Sequence, residues 1–210
     1  MAAPSARLPD RRAPVSFAPV KPTPPPHQQP ATLDELLANA EHYARFCMAN
    51  SGAVSPALFF IAADGHGMCV PESLKDISAK DDFADLCRQA CLAHAATACV
   101  MVIEAWAKFA KPGEELDTTE APSEALDRQE YVVLTGESRP DLKQRFLPIV
   151  RSDNGRFFGF GDPYEPGASL QGRFAQILPA DPPDAALREV AHAMLQVRRA
   201  RIHTTRRPRR

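Results

Sequence analysis

An apolar run at residues 99–106, interrupted only by Glu104, constrains the fold of this chain more than any other feature. Its β-branched and apolar residues are typical of a strand, and a strand without polar alternation has to be covered on both of its faces. The run therefore predicts a central strand of a sheet with covering elements on both sides.

One helix is predicted before the first pair of strands and another after it. The first starts at Thr32, where Glu35 completes a capping box, and ends near residues 50–52. The second starts at Asp81 or Asp82. Each has apolar residues on one face: Leu33, Leu36, Leu37, Ala40, Ala44 and Cys47 in the first, and Phe83, Leu86, Cys87, Ala90, Cys91 and His94 in the second.

A third helix is predicted from Asp184 to about Ile202, with Asp181 or Asp184 as its cap. Its basic end complements the helix dipole. The residues expected to face inward are Leu187, Val190, Ala191, Met194 and Leu195.

Short strands are predicted between the helices. Residues 57–62 and 68–70 flank a tight-turn signal at 64–67, which indicates a β-hairpin. A second group comprises residues 129–135 and a hairpin of 145–151 with 156–160 around an Asn-Gly turn.

Two later features refine this group of strands. Pro148 places its strand at a sheet edge or on a bulge, because proline lacks the backbone donor of an interior ladder. Residues 173–178 are expected to form a further short strand.

The element order αββαβββ(β)α predicts an α+β fold, in which an antiparallel sheet of five to six strands packs with three helices. The order is similar to that of roadblock and profilin-like domains, which are mostly scaffolding and regulatory modules. Such a likeness in element order implies no particular function for this chain.

The folded domain is expected at residues 32–202, with a long polar loop at 108–128. Residues 1–31 are rich in proline and predict a disordered tail, and residues 203–210 predict an arginine-rich one. Because the first 30 residues carry +3 and residues 198–210 carry +7, the total of −1 leaves −11 on residues 31–197. The sequence thus predicts an acidic body with basic extensions.

The composition predicts a cytoplasmic protein. The sequence has no run of about 20 uncharged apolar residues and no apolar segment typical of a signal peptide, so no membrane association is expected. The five cysteines form an odd set in apolar surroundings, which favours reduced, buried thiols over disulfides; they are Cys47, Cys69, Cys87, Cys91 and Cys99.

The arginines near the C-terminus predict one kind of binding surface. They could neutralise phosphates, but no aromatic residues alternate with them to stack on bases. Any binding of nucleic acid would then be weak, non-specific and sensitive to salt. The arginines concerned are Arg198, Arg199, Arg201, Arg206, Arg207, Arg209 and Arg210.

Two groups of residues have the chemistry of metal ligands. Asp64, His66 and Cys69 lie at or near one hairpin tip and would suit a hydrolase or metal enzyme, but their spacing matches no known ligand pattern, so a plain turn is favoured and no metal is expected. Cys87, Cys91 and His94 share a helix face as half of a metal site would, but they also fit packed core residues.

Glu104 is the candidate for acid–base chemistry, because a carboxylate within an apolar strand needs a partner or a raised pKa. Its candidate partners are Arg128 and His94. The alternative is a structural ion pair, or a strand end that is less buried than the pattern indicates.

Glu104-Ala105-Trp106, followed by Pro122-Ser123-Glu124 and by residues 127–130, resembles a group of uncharacterised bacterial proteins found in mobile genetic elements. No activity comes with this resemblance. It implies a genetic setting and no mechanism.

Three functions follow as hypotheses. The first is a non-enzymatic interaction or regulatory domain that binds protein, with homodimerisation as one form. The second is a nucleic-acid-associated accessory protein, and the third is a hydrolase or metal enzyme. No glycine-rich phosphate loop is present in the sequence, so no nucleotide cofactor is expected.

Overall fold

The computed structural model describes residues 30–63, 65–71, 74–107, 124, 128–166, 172–198 and 202–206. Within these residues the chain forms three helices, α1 (Leu33–Ser51), α2 (Ile77–Ala93) and α3 (Ala185–Val197). It also forms seven strands, β1 (Ala57–Ala62), β2 (Gly65–Cys69), β3 (Ala98–Ala107), β4 (Gln129–Ser138), β5 (Leu142–Arg151), β6 (Phe157–Phe160) and β7 (Ile202–Arg206).

The strands form one antiparallel sheet in the order β6-β5-β4-β3-β1-β2-β7. The hairpin of β1 and β2 joins the meander of β3 to β6 where β1 pairs with β3. The predicted α+β class with an antiparallel sheet is confirmed, and the sheet has seven strands where five to six were expected. The likeness to roadblock and profilin-like domains stays a prediction.

The central strand β3 has its two faces in two separate cores. Val100 and Val102 pack with the apolar residues of α1. Cys99 and Met101, which alternate with them, pack with those of α2. The prediction of a central, doubly covered strand is confirmed over residues 98–102, whereas the end of β3 beyond Val102 is less buried.

The capping box predicted for the first helix is present. The backbone N–H of Glu35 donates to the Thr32 hydroxyl at 3.2 Å, and the Glu35 carboxylate accepts from the backbone of Thr32 at 3.2 Å and of Ala31 at 2.7 Å. These hydrogen bonds lower the pKa of Glu35. The helix ends at Gly52, which adopts a left-handed φ of 73° that glycine tolerates without strain.

The predicted start of the second helix is wrong by more than a turn. The cap is Asp76, whose carboxylate accepts from the backbone N–H of Ala79 at 2.8 Å. Ile77, in the first turn, is exposed, and the apolar face begins only at Phe83. The first turn therefore carries no apolar periodicity by which the sequence could reveal it.

Pro148 lies in the interior strand β5, so of the two predicted positions the sheet edge is wrong, whereas β5 does have a register shift between Val150 and Arg151. Phe146 exchanges both backbone hydrogen bonds with Tyr164, at 2.8 and 2.9 Å. The backbone N–H and C=O positions of the even-numbered residues in this part of β5 therefore face away from β4, toward the β6 side. Pro148 accepts there from Gly161 at 2.9 Å, just after the ladder with β6 has ended at Phe160. The backbone N–H that proline lacks would therefore lie beyond the β5–β6 ladder, where it costs no ladder hydrogen bond.

The C-terminal region differs from the prediction of a helix to Ile202 followed by a tail. The third helix ends at Val197, and residues 202–206 form β7, which pairs with β2. Arg206, predicted in the tail, is the last residue of this strand. None of the described helices is long and apolar enough to cross a membrane.

We predict that Gly67→Ala destabilises the protein by about 1–3 kcal/mol, because overpacking forces the core to shift. A Cβ at Gly67 would lie 2.6 Å from Cε1 and 2.8 Å from Cε2 of the Phe60 ring. Gly159→Ala in β6 is the matched control, since a Cβ there meets nothing within 4 Å. Urea unfolding of both variants checks this, and equal midpoints would contradict it.

Candidate functional site

Glu104 is held by the backbone next to the end of α1. Its Oε2 accepts from the backbone N–H of Val54 at 2.9 Å. Nearby, Arg151 donates to Glu130 at 2.6 Å and to the carbonyl of Gly52 at 3.3 Å. Glu130, and to a lesser extent Glu104, raise the pKa of Arg151. These contacts favour a structural role for Glu104, in which it helps to join α1 to the sheet.

The structure separates His94 from the other members of the predicted cluster of Glu104, Arg128 and His94, whereas a pairing of Glu104 with Arg128 stays a prediction. The Arg128 guanidinium lies over the Trp106 ring, 4.8 Å from its centroid. His94 stacks on Phe60 at 5.2 Å, on the face of the sheet covered by α2. Glu104 lies on the opposite face, because it alternates in step with Val102. The sheet therefore separates His94 from Glu104.

His66 and Cys69 point to opposite faces of β2, because they are three positions apart and side chains alternate along a strand. Asp64 lies outside the described residues. His66 pairs with Ile61, which pairs with Ala98, so His66 is about 20 Å along the sheet from Glu104. Among the described residues no group of three metal-ligating side chains can hold an ion. The hypothesis of a hydrolase or metal enzyme gains no support from this geometry.

Four of the five cysteines meet in the core on the α2 side. They are Cys69, Cys87, Cys91 and Cys99, all buried and free of disulfides. Burial first, and then a hydrogen bond with Cys69, raise the pKa of Cys87. A hydrogen bond with Cys91 and burial raise the pKa of Cys99. Protonated thiols are neither nucleophiles nor metal ligands, which favours the interpretation of Cys87 and Cys91 as packed core residues.

Glu137 is a buried carboxylate that the sequence patterns did not single out. Its two oxygens accept from the backbone N–H groups of Ile177, at 3.2 Å, and Leu178, at 2.9 Å. Arg88 of α2 donates to the carbonyls of Arg173 at 3.0 Å and Ala175 at 3.3 Å. Glu137 and Arg88 thus fix the segment 172–178, which we call the anchored segment.

The predicted strand at 173–178 is wrong. The anchored segment is irregular, and Gln176 has a φ of 54°, which lies outside the conformations of a strand. Its backbone groups bond to side chains of α2 and β4 where a strand would bond to a neighbouring strand. The one sequence signal for this contact was a glutamate, Glu137, at an inward-facing position of an apolar strand. That signal does not reveal which groups the carboxylate binds.

Only part of the apolar surface of the third helix is buried against the rest of the fold. Ala191 and Leu195 are buried and pack with Ala93 of α2. The prediction that Leu187, Val190 and Met194 face inward is wrong, because these side chains are exposed. With Val197 they form a stripe along the helix, which we call the α3 stripe, and their exposed fractions are Leu187 45%, Val190 57%, Met194 44% and Val197 84%.

Of the arginines proposed to bind nucleic acid, Arg198 caps α3 and donates to the carbonyl of Asp82 at 3.4 Å. Arg206 ends β7, but its side chain and the other five arginines lie outside what the structure describes. Binding of nucleic acid through these arginines stays a prediction.

No known family model matches this chain, and neither the curated proteins nor the solved structures contain a match. The resemblance to proteins of mobile genetic elements also stays a prediction. The case for a function therefore comes from the geometry of this molecule.

We predict that four of the five thiols react with Ellman's reagent only after unfolding. At about pH 8 the folded protein should show fast reaction at Cys47 alone, because the others are buried and the pKa values of Cys87 and Cys99 are raised. Cys47→Ser should remove the fast phase. Rapid reaction of several native thiols would contradict this prediction.

We also predict that Glu137→Gln destabilises the fold by about 2 kcal/mol or more, because the amide N–H₂ faces a backbone donor that the carboxylate had satisfied. Trypsin should then cleave faster after Arg173, in the anchored segment. Glu165→Gln is the control, because Glu165 is largely exposed in its pair with Arg145 and should cost less than about 1 kcal/mol. Equal effects would contradict the assigned role of Glu137.

Proposed function

We propose that this chain is a non-enzymatic protein-interaction domain that binds its partner through the α3 stripe. The observation that supports the proposal is the exposure of Leu187, Val190, Met194 and Val197 on one face of a helix that is already anchored by Ala191 and Leu195. Contiguous apolar surface on a folded protein marks interaction sites more often than scattered apolar residues do.

The spacing of the α3 stripe favours a helix as the binding element. Its residues follow one another at intervals of three, four and three, which are the a and d positions of a heptad. Such a seam accepts the side chains of a facing helix. The proposal therefore specifies a helix-to-helix contact.

The contacts of Glu104, the candidate for acid–base chemistry, and of the buried thiols also favour a non-enzymatic domain. Glu104 accepts from the backbone of Val54, and Glu130 pairs with Arg151, which also bonds to the end of α1. The buried thiols pack among apolar residues of α2 and the sheet. Each of these groups has a structural contact that accounts for its position. The resemblance to proteins of bacterial mobile elements would give such a domain a setting.

The first experiment tests whether the α3 stripe is outside the core. Leu187→Ala should change the free energy of unfolding by less than about 0.5 kcal/mol, as expected for an exposed site. Leu195→Ala, two turns further along the same helix, should cost about 2 kcal/mol or more because its side chain is buried. Urea unfolding measures both. A cost for Leu187→Ala equal to that of Leu195→Ala would mean that this chain itself covers the stripe.

The second experiment tests binding. A photo-reactive benzoylphenylalanine at position 190 should give cross-linked adducts in cells that express the full chain. Leu187→Gln and Met194→Gln in the same chain should remove those adducts while leaving the fold unchanged. Adducts that persist in this double variant, or an absence of adducts in the parent, would reject binding through the α3 stripe.

A further inference from the structure

We infer that the partner of the α3 stripe is a second copy of this chain, whose own third helix packs antiparallel to the first. The inference rests on the proposed function and specifies it further. It depends on two properties of the helix, the symmetry of its stripe and the distribution of charge at its two ends.

The α3 stripe is complementary to itself when two copies run in opposite directions. In that arrangement Leu187 of one copy faces Val197 of the other, and Val190 faces Met194. Both contacts fall in one register, centred on position 192, and a two-fold axis there makes the two halves identical. Every member of the stripe then meets an apolar partner.

The charges at the ends of the helix favour the same direction. Asp184 caps the N-terminal end, and the exposed Arg198 lies at the C-terminal end. In the register set by the stripe, Arg198 of one copy lies within about one helical turn of Asp184 in the other, since each residue advances about 1.5 Å. A parallel pair would instead place like charges together, and it would align the two helix dipoles unfavourably.

The flank of the stripe lets the helices approach. Ala186 and Ala193 occupy the positions beside the seam, away from the contact with α2. Their side chains are small and uncharged, so they neither obstruct a facing helix nor place a charge against it. The uncharged seam with one complementary pair at each end is the pattern of a specific helix pair rather than of a solvated face.

The size of the surface predicts a weak dimer. A helix of 13 residues is about 20 Å long, so one helix pair buries much less than the roughly 800 Å² per partner of a standard interface. Dissociation is therefore expected in the micromolar range or above.

Sedimentation velocity of the full chain from about 5 to about 500 µM should show a reversible monomer–dimer equilibrium. Leu187→Gln with Met194→Gln should abolish it. Arg198→Glu should raise the dissociation constant about fivefold, as expected for an exposed pair that becomes a like-charge contact. Arg188→Glu makes the same charge change on another side of the helix, and it should leave the constant unchanged.

Disulfide trapping tests the direction of the pair. A mixture of Leu187→Cys and Val197→Cys chains should form a mixed disulfide under mild oxidation, identified by peptide mapping. Each variant alone should form no disulfide through the new cysteine. In this register position 187 of one chain lies about 15 Å along the helix axis from position 187 of the other. Disulfides between identical variants, or a chain that stays monomeric up to about 500 µM, would overturn the inference.

The two proposals can fail separately. A monomeric chain whose photo-adducts at position 190 contain other proteins, and depend on Leu187 and Met194, would leave the interaction domain intact and show that its partner is not a second copy. Loss of both the dimer and the stripe-dependent adducts would reject both proposals.

Discussion

Burial of both faces of β3, between α1 on one side and α2 on the other, is the interaction on which the rest of the fold depends. Val100 and Val102 enter one core, and Cys99 and Met101 enter the other. Because α1 and α2 cover both faces in the middle of the sheet, no face of β3 is left for the third helix to pack on. It packs on α2 through Ala191 and Leu195 and leaves the α3 stripe exposed.

A buried carboxylate and a half-exposed arginine hold the anchored segment, which precedes α3 in the chain. Glu137 satisfies two backbone donors of the anchored segment, and Arg88 satisfies carbonyls of the same segment. A buried carboxylate is tolerated in a core only when its oxygens are bonded in this way. The pair fixes an irregular stretch that precedes α3, and so it contributes to the position of that helix.

Local signals in the sequence predicted the elements that they mark directly. The capping box of Thr32 and Glu35 identified α1, and the unbroken apolar run identified the central strand. The first turn of α2 lacked such a signal because Ile77 is exposed. Residues 203–206 were predicted as part of a basic tail, because a strand at the edge of a sheet needs no apolar alternation.

The candidate site could be predicted only in part, because it depends on what long-range packing covers. The periodicity of Leu187, Val190 and Met194 was recognised correctly, but an apolar face has the same pattern whether it enters a core or binds a partner. Likewise, the sequence offered His94 as a candidate partner of Glu104. His94 instead stacks on Phe60, on the face of the sheet opposite to Glu104.

We propose that α3 is an outer helix and that its apolar stripe binds a second copy. Hydrogen–deuterium exchange of the full chain at about 5 and about 500 µM can test this proposal, because exchange reports local opening separately from global unfolding. The amides of α3 should exchange faster than those of β3 at the lower concentration and should slow down at the higher one, while those of β3 should not change. Exchange in α3 that is as slow as in β3 and independent of concentration would contradict it.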